Sequence, residues 1–283
     1  MSGKSALIPV GVAAAYIAVT AVLYLLFGRA ADAPARDPRV EKPHHSALAP
    51  SWLIGYITFA LRPIERFFML ARVSPNALTF GSLCTAGLAA FECAIGNFAA
   101  GGWALLLTGA LDLFDGRIAR ATGRVTASGA FYDSIVDRYA EGLVFAGLAV
   151  YYRQSPILYV VLACMIGSYM VSYTRARGES LGVSSAGGTM QRPERIVALG
   201  FGLALSPAVA AFLEPASPRP VYYLAVVALA FVALSASGTA LWRFGRVFAL
   251  LRAQDAPAAK PAEAPPAAAP GATTPPLPST RET

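Results

Sequence analysis

Four stretches of this chain, residues 5–28, 156–173, 196–213 and 221–242, contain no charged side chain at all. Each is 18 to 24 residues long, and a helix needs about 20 apolar residues to cross the hydrocarbon core of a bilayer. Backbone in that core must satisfy its own hydrogen bonds, so stretches of this kind restrict the chain to membrane-spanning helices. Composition agrees. Of the 283 residues 56% are hydrophobic and 14% charged, against roughly 25% charged in a soluble domain. The net charge of +7 then reads as arginine-rich loops at one membrane face, not as a nucleic-acid surface.

Three further segments read as spans. Residues 77–98 carry one charge, Glu92; residues 101–121 are apolar as far as Asp112; residues 131–152 are apolar after two turns. Residues 51–72 differ, since Trp52, Ile54, Tyr56, Phe59 and Leu61 alternate with Arg62, Glu65, Arg66 and Arg72. That pattern predicts an amphipathic helix lying along the membrane face. The expected layout is an N-terminal transmembrane helix over 1–28, a linker over 29–50, the interfacial helix over 51–72, a six-span catalytic domain over 73–253, and a disordered Pro/Ala-rich tail over 254–283. Residues 1–28 are read as a retained helix and not as a signal peptide, because the apolar run is long and the cleavage site weak. His44 and His45 fall in the linker and read as solvated. Cys84, Cys93 and Cys164 lie in apolar runs without a CxxC pair and read as small buried residues.

Charge sets the expected orientation. Under alternating topology Arg117, Arg120, Arg124, Arg175, Arg177, Arg192, Arg195, Arg243, Arg246 and Arg252 share one side, while the other side has only Arg153 and Arg219. The positive-inside rule assigns the arginine-rich side to the cytoplasm of a cell (inner) membrane. Lys4 before the first span, and Arg29, Arg36, Arg39 and Lys42 after it, agree, so the N-terminus is expected outside and the C-terminus inside.

Four aspartates stand near the arginine-rich face: Asp112 and Asp115, three apart, and Asp133 and Asp137, four apart. Each pair lies on one helix face. The polar turn over 122–128 lets the two pairs face each other. An ionised Asp inside a span is costly and marks function. Four carboxylates at close range need a compensating cation, and all-oxygen ligation suits Mg²⁺ or Mn²⁺, with ligands for two ions. Salt bridges to Arg117, Arg120, Arg124 or Arg138 are the competing explanation. Gly116 lets a ligand approach the helix backbone, Arg120 reaches a phosphate, and Gly129 permits close packing.

These residues form a longer pattern. Asp112, Asp115, Gly116, Ala119, Arg120, Gly129, Asp133 and Asp137 occupy all eight fixed positions of the CDP-alcohol phosphotransferase signature within 26 residues. The chain therefore resembles the CDP-alcohol phosphatidyltransferase family over about residues 51–250. The resemblance implies an all-α integral membrane fold, a six-helix bundle to which this chain adds an N-terminal transmembrane helix, assembled as a homodimer. It implies that Asp112, Asp115, Asp133 and Asp137 bind metal, that Asp137 accepts the proton, and that CDP-diacylglycerol lies on Gly116, Ala119, Arg120 and Gly129. Asn76 and Thr79, near the start of the first span, and Thr126, in the turn, match positions that hold the CDP group. Asn76 also reads as a helix N-cap beside Pro75.

The acceptor is read from a second basic cluster. Arg175, Arg195 and Arg243 lie at helix ends near the carboxylates and point to an anionic acceptor carrying a phosphate, against ordinary loop charge as the alternative. Residues 172–177 and 192–195 are similar to those of phosphatidylinositol phosphate synthases, which implies inositol phosphate, with glycerol 3-phosphate next. A cation-coupled transporter would set its carboxylates at separated depths near the midplane, and a lipid-binding scaffold would not need four aspartates.

Overall fold

A computed structural model of the chain describes residues 51–255 apart from 185–187, 189, 216 and 218, together with Thr20. The expected spanning helix over 1–28, the linker over 29–50 and all but the first two residues of the expected tail lie outside the described residues. Within residues 51–255 seven described helices follow one another: α1 (Ser51–Leu70), α2 (Pro75–Ala94), α3 (Phe98–Ala121), α4 (Ala127–Tyr151), α5 (Ile157–Ser180), α6 (Arg192–Leu213) and α7 (Tyr223–Asp255). There is no strand among the described residues.

Five of the helices, α2, α3, α5, α6 and α7, are long and apolar enough to cross a membrane. The chain is a multi-pass membrane protein. α4 is as long, at 25 residues, but Asp133, Asp137, Arg138 and Glu141 make its first half polar. That half carries the site, which is why a hydropathy criterion passes it over.

Local chemistry sets the helix ends. Ser74 caps α2, its hydroxyl accepting from the Ala77 N–H at 3.2 Å, with Pro75 in the first turn. Asn76 is therefore not the cap, and its side chain is left for another use. Gly123, with φ of 64°, turns the chain after α3. Thr126 then caps α4, accepting from the Gly129 N–H at 3.0 Å.

Helix pairs α2–α3, α5–α7, α2–α4, α3–α6, α6–α7 and α4–α5 pack around a core that includes Phe98, Phe145, Leu148, Leu203 and Leu229. Small residues bring helix backbones close. A Cβ on Gly102 of α3 would stand 2.6 Å from the Gly200 carbonyl oxygen of α6, so only glycine permits that approach. α1 lies against α3 through Phe68 on Phe114 and through Arg117, whose Nε and Nη2 donate to Glu65 Oε2 at 3.0 and 2.7 Å. Phe67 and Leu70 on α1 are exposed, at 65% and 85%.

The bundle has two dissimilar ends. At one, the Glu214 carboxylate accepts from the backbone N–H groups of Val221, Tyr222 and Tyr223. Tyr151 donates to the Pro220 carbonyl at 2.5 Å, Tyr152 to that of Val221 at 2.7 Å, and Tyr222 to that of Gly96 at 3.0 Å. Tyr222 holds a left-handed φ of 59°, stabilised by these bonds and by stacking on Phe98 at 4.4 Å. The other end gathers the aspartates and most of the arginines.

Candidate metal and nucleotide site

The turn over residues 122–126 folds α4 back against α3, and carboxylate oxygens of Asp112, Asp133 and Asp137 come within 4.8 Å of one another. Asp133 Oδ1 is buried and has no hydrogen-bond partner. A buried carboxylate oxygen without a donor is costly, and three carboxylates side by side, one of them so placed, fit a hard divalent cation with oxygen ligands. The donor set therefore fits the metal that the sequence implies.

The fourth aspartate stands apart from this triad. Asp115 is 5% exposed, and Thr79 donates from Oγ1 to its Oδ2 at 2.6 Å. Its carboxylate is near enough to Asp112 and Asp133 for their charges to act on it. Thr79, expected to help hold the nucleotide, is itself buried at 3% and is occupied by this bond.

The cations nearest the triad are not those expected for a purely structural salt-bridge cluster. Arg117 is committed to Glu65, and Arg138 reaches Asp137 only at 3.8 Å while donating to the Ser134 carbonyl at 2.5 Å. Arg192, from the first turn of α6, places Nη1 2.5 Å from Asp112 Oδ2 and 2.8 Å from Asp137 Oδ1. Arg192 was not among the residues expected at the site. A signal for it existed, because it lies three residues before Arg195 and so on the same helix face.

The residues expected around the nucleotide fall on one side of the triad. The Arg120 guanidinium folds over Gly116, where a Cβ would stand 3.3 Å from its Nη1. Ala119, half-buried, is next to Arg120 on α3. Thr126 and Asn76 meet over Gly129, where a Cβ would lie 2.9 Å from Thr126 Oγ1 and 3.8 Å from Asn76 Oδ1. Exposed polar groups from α2 and the turn thus meet over the first turn of α4.

The arginines expected at the acceptor phosphate are gathered but differently exposed. Arg243, 2% exposed, donates from Nη1 to the Val171 carbonyl at 2.8 Å and feels the charges of Arg175 and Arg195. Arg195, 1% exposed, is forked by Glu141, Nε to Oε1 at 2.9 Å and Nη2 to Oε2 at 3.2 Å. Arg175 pairs with Glu179 at 2.9 Å, and both side chains are about half exposed, at 52% and 50%. Sequence reasoning missed Glu141, although it lies one helical turn beyond Asp137 on the same face.

Comparison with known proteins agrees with this geometry. A family model described as CDP-alcohol phosphatidyltransferase matches residues 72–234. The chain is 44% identical over 151 residues to an uncharacterized protein of Aquifex aeolicus, covering 51% of this chain and 76% of that one. It is 35% identical over 155 residues to the phosphatidylinositol phosphate synthase of Corynebacterium glutamicum, covering 52% and 69%. Among solved structures, the phosphatidylinositol phosphate synthase of Mycobacterium tuberculosis with CDP-DAG bound superposes with a TM-score of 0.56 at 27% identity, over 66% of this chain and 92% of that one. The same enzyme in complex with manganese and citrate gives 0.56 at 26% identity, over 66% and 88%.

Proposed function

The chain belongs to the CDP-alcohol phosphatidyltransferase family, and from that premise we propose that this transferase moves the phosphatidyl group of CDP-diacylglycerol to a phosphorylated polyol, inositol phosphate, and releases CMP. The observation that carries the reading is the convergence of Asp112, Asp133 and Asp137 within 4.8 Å, with Arg120 over Gly116 and with Asn76 and Thr126 over Gly129 beside them. The acceptor reading is supported by the grouping of Arg175, Arg195 and Arg243 and by the relatives named phosphatidylinositol phosphate synthase.

Each residue then has a task. Asp112, Asp133 and Asp137, with Asp115 oriented behind them by Thr79, would hold two Mg²⁺ or Mn²⁺ ions, which neutralise the pyrophosphate and stabilise the departing CMP. Asn76, Thr126 and Arg120 hold the CDP group, with Gly116, Ala119 and Gly129 leaving room for it. Asp137 takes the proton of the acceptor hydroxyl, whose oxygen attacks the phosphorus nearer the lipid. Positioning and charge stabilisation supply most of the acceleration.

The arginines divide their roles by exposure. Arg175 is the one an aqueous phosphate reaches directly, since its exposed pair with Glu179 exchanges readily with a better anion. Arg243, being buried, acts by the positive field it keeps beneath the acceptor, and Arg195, paired with Glu141, acts by holding α6 in place beside it. The site faces the cytoplasm of the inner membrane, on the arginine-rich side. Exposed apolar side chains such as Phe201, Phe212 and Phe231 meet lipid and a second copy of the chain in a homodimer.

Purified protein supplied with CDP-diacylglycerol, Mg²⁺ and a panel of acceptors tests the reading by CMP release. Turnover with inositol 1-phosphate is the expected result. Turnover with glycerol 3-phosphate alone would replace the acceptor and keep the reaction, and no CMP with any phosphorylated or free alcohol would overturn both.

A further inference from the structure

Two arginines stand three residues apart at the start of α6 and are held in different ways. Arg195 gives two nitrogens to two oxygens of Glu141, a planar fork with strong directional preference. Arg192 comes nearest to both Asp112 and Asp137 through Nη1, and its Nε is buried without a hydrogen-bond partner. Its hold is Coulombic and lacks the geometry that makes a fork strong. As the first helical residue of α6, Arg192 has no preceding helical turn to restrict its rotamers.

The charge at this point is unbalanced. Three carboxylates crowd within 4.8 Å, Asp133 keeps a buried oxygen without a partner, and Arg138 offers only a 3.8 Å approach to Asp137. One guanidinium does not neutralise three carboxylates, whereas a divalent cation together with the surrounding arginines does. The oxygens that Arg192 touches belong to two of the three residues such a cation needs.

We propose that Arg192 is an exchangeable counter-ion of the aspartate site: it competes with the divalent cation for Asp112 and Asp137 and withdraws when the cation enters. It rests on the reading of these aspartates as metal ligands. Arg195, locked by Glu141, stays in place while Arg192 moves. The exchange sets the affinity for metal below what the bare carboxylates would give. It also releases a positive charge beside the acceptor pocket when the metal arrives.

The experiment titrates Mn²⁺ into purified, detergent-solubilised protein without nucleotide and follows free Mn²⁺ by electron paramagnetic resonance. Wild type is compared with Arg192→Gln and Arg192→Lys. Arg192→Gln should bind Mn²⁺ about tenfold more tightly, the effect of removing two competing ion pairs of ordinary strength, to Asp112 and Asp137, and Arg192→Lys should fall between. Thermal unfolding provides the second readout. Without metal, Arg192→Gln should unfold below wild type, and saturating Mn²⁺ should remove the difference. Unchanged or weaker Mn²⁺ binding in Arg192→Gln, with wild-type binding intact, would overturn the exchange and leave the metal site standing. No Mn²⁺ binding by any of the three proteins would overturn the metal reading itself. Should Arg192→Gln fail to fold, Arg192→Lys decides in the same titration: tighter binding than wild type supports the exchange and equal binding refutes it.

Discussion

Glu141 grips Arg195 with both carboxylate oxygens, at 2.9 and 3.2 Å, in a pair whose arginine is 1% exposed. The bond joins α4, which carries two of the aspartates, to α6, which carries Arg192. Removing one partner would leave the other charged and buried, at a cost on the order of 3 kcal/mol. Glu141→Ala should therefore unfold at clearly lower temperature in detergent. The double variant Glu141→Ala/Arg195→Met should recover much of that loss, because no charge is then stranded. A double variant no more stable than Glu141→Ala would show that the pair does not act as a unit.

Asp137 is the proposed proton acceptor, and Asp137→Asn keeps its size while removing its basicity. CMP release should fall by about 10² to 10⁴-fold, with the elution profile and thermal unfolding of a folded membrane protein retained. Turnover near the wild-type rate would take Asp137 out of the proton transfer.

Thr79 orients Asp115 through a 2.6 Å hydrogen bond to a charged acceptor, an interaction of about 1.5–3 kcal/mol. Thr79→Val keeps the shape and removes the donor. The Mg²⁺ concentration giving half-maximal activity should rise by about tenfold, while Thr79→Ser stays near wild type. Equal Mg²⁺ dependence in Thr79→Val would separate Asp115 from the metal.

Arg175 and Glu179 form an exposed pair, and such pairs contribute about 0–1 kcal/mol. Arg175→Ala should leave the unfolding temperature unchanged and raise KM for the phosphorylated acceptor, with KM for CDP-diacylglycerol constant. A variant whose two KM values move together would return Arg175 to ordinary loop charge.

Much of this was legible before the fold was known. Charge-free stretches of 18 or more residues have one physical solution, and aspartates three and four apart share a helix face. What the sequence concealed was pairing across distance. Arg192 meets Asp112 across the packed α3 and α6, where Gly109 leaves room for Ile196; the spacing from Arg195 indicates its helix face but not its partner. Arg195 is expected at the acceptor phosphate from its helix-end position, whereas its side chain is committed to Glu141, 54 residues away in the chain. Asn76 was read both as a cap and as a ligand. Ser74 supplies the cap, a choice between neighbouring polar residues that geometry decides.

The tyrosines and Glu214 at the far end bear on how the molecule moves. Three hydroxyls and one carboxylate there fasten the loops at Gly96, Tyr152 and Tyr222 to one another. At the opposite end three carboxylates crowd within 4.8 Å of one another, with Arg192 shared between two of them. Such a bundle should behave as forceps riveted at the heel, with its compliance at the tips.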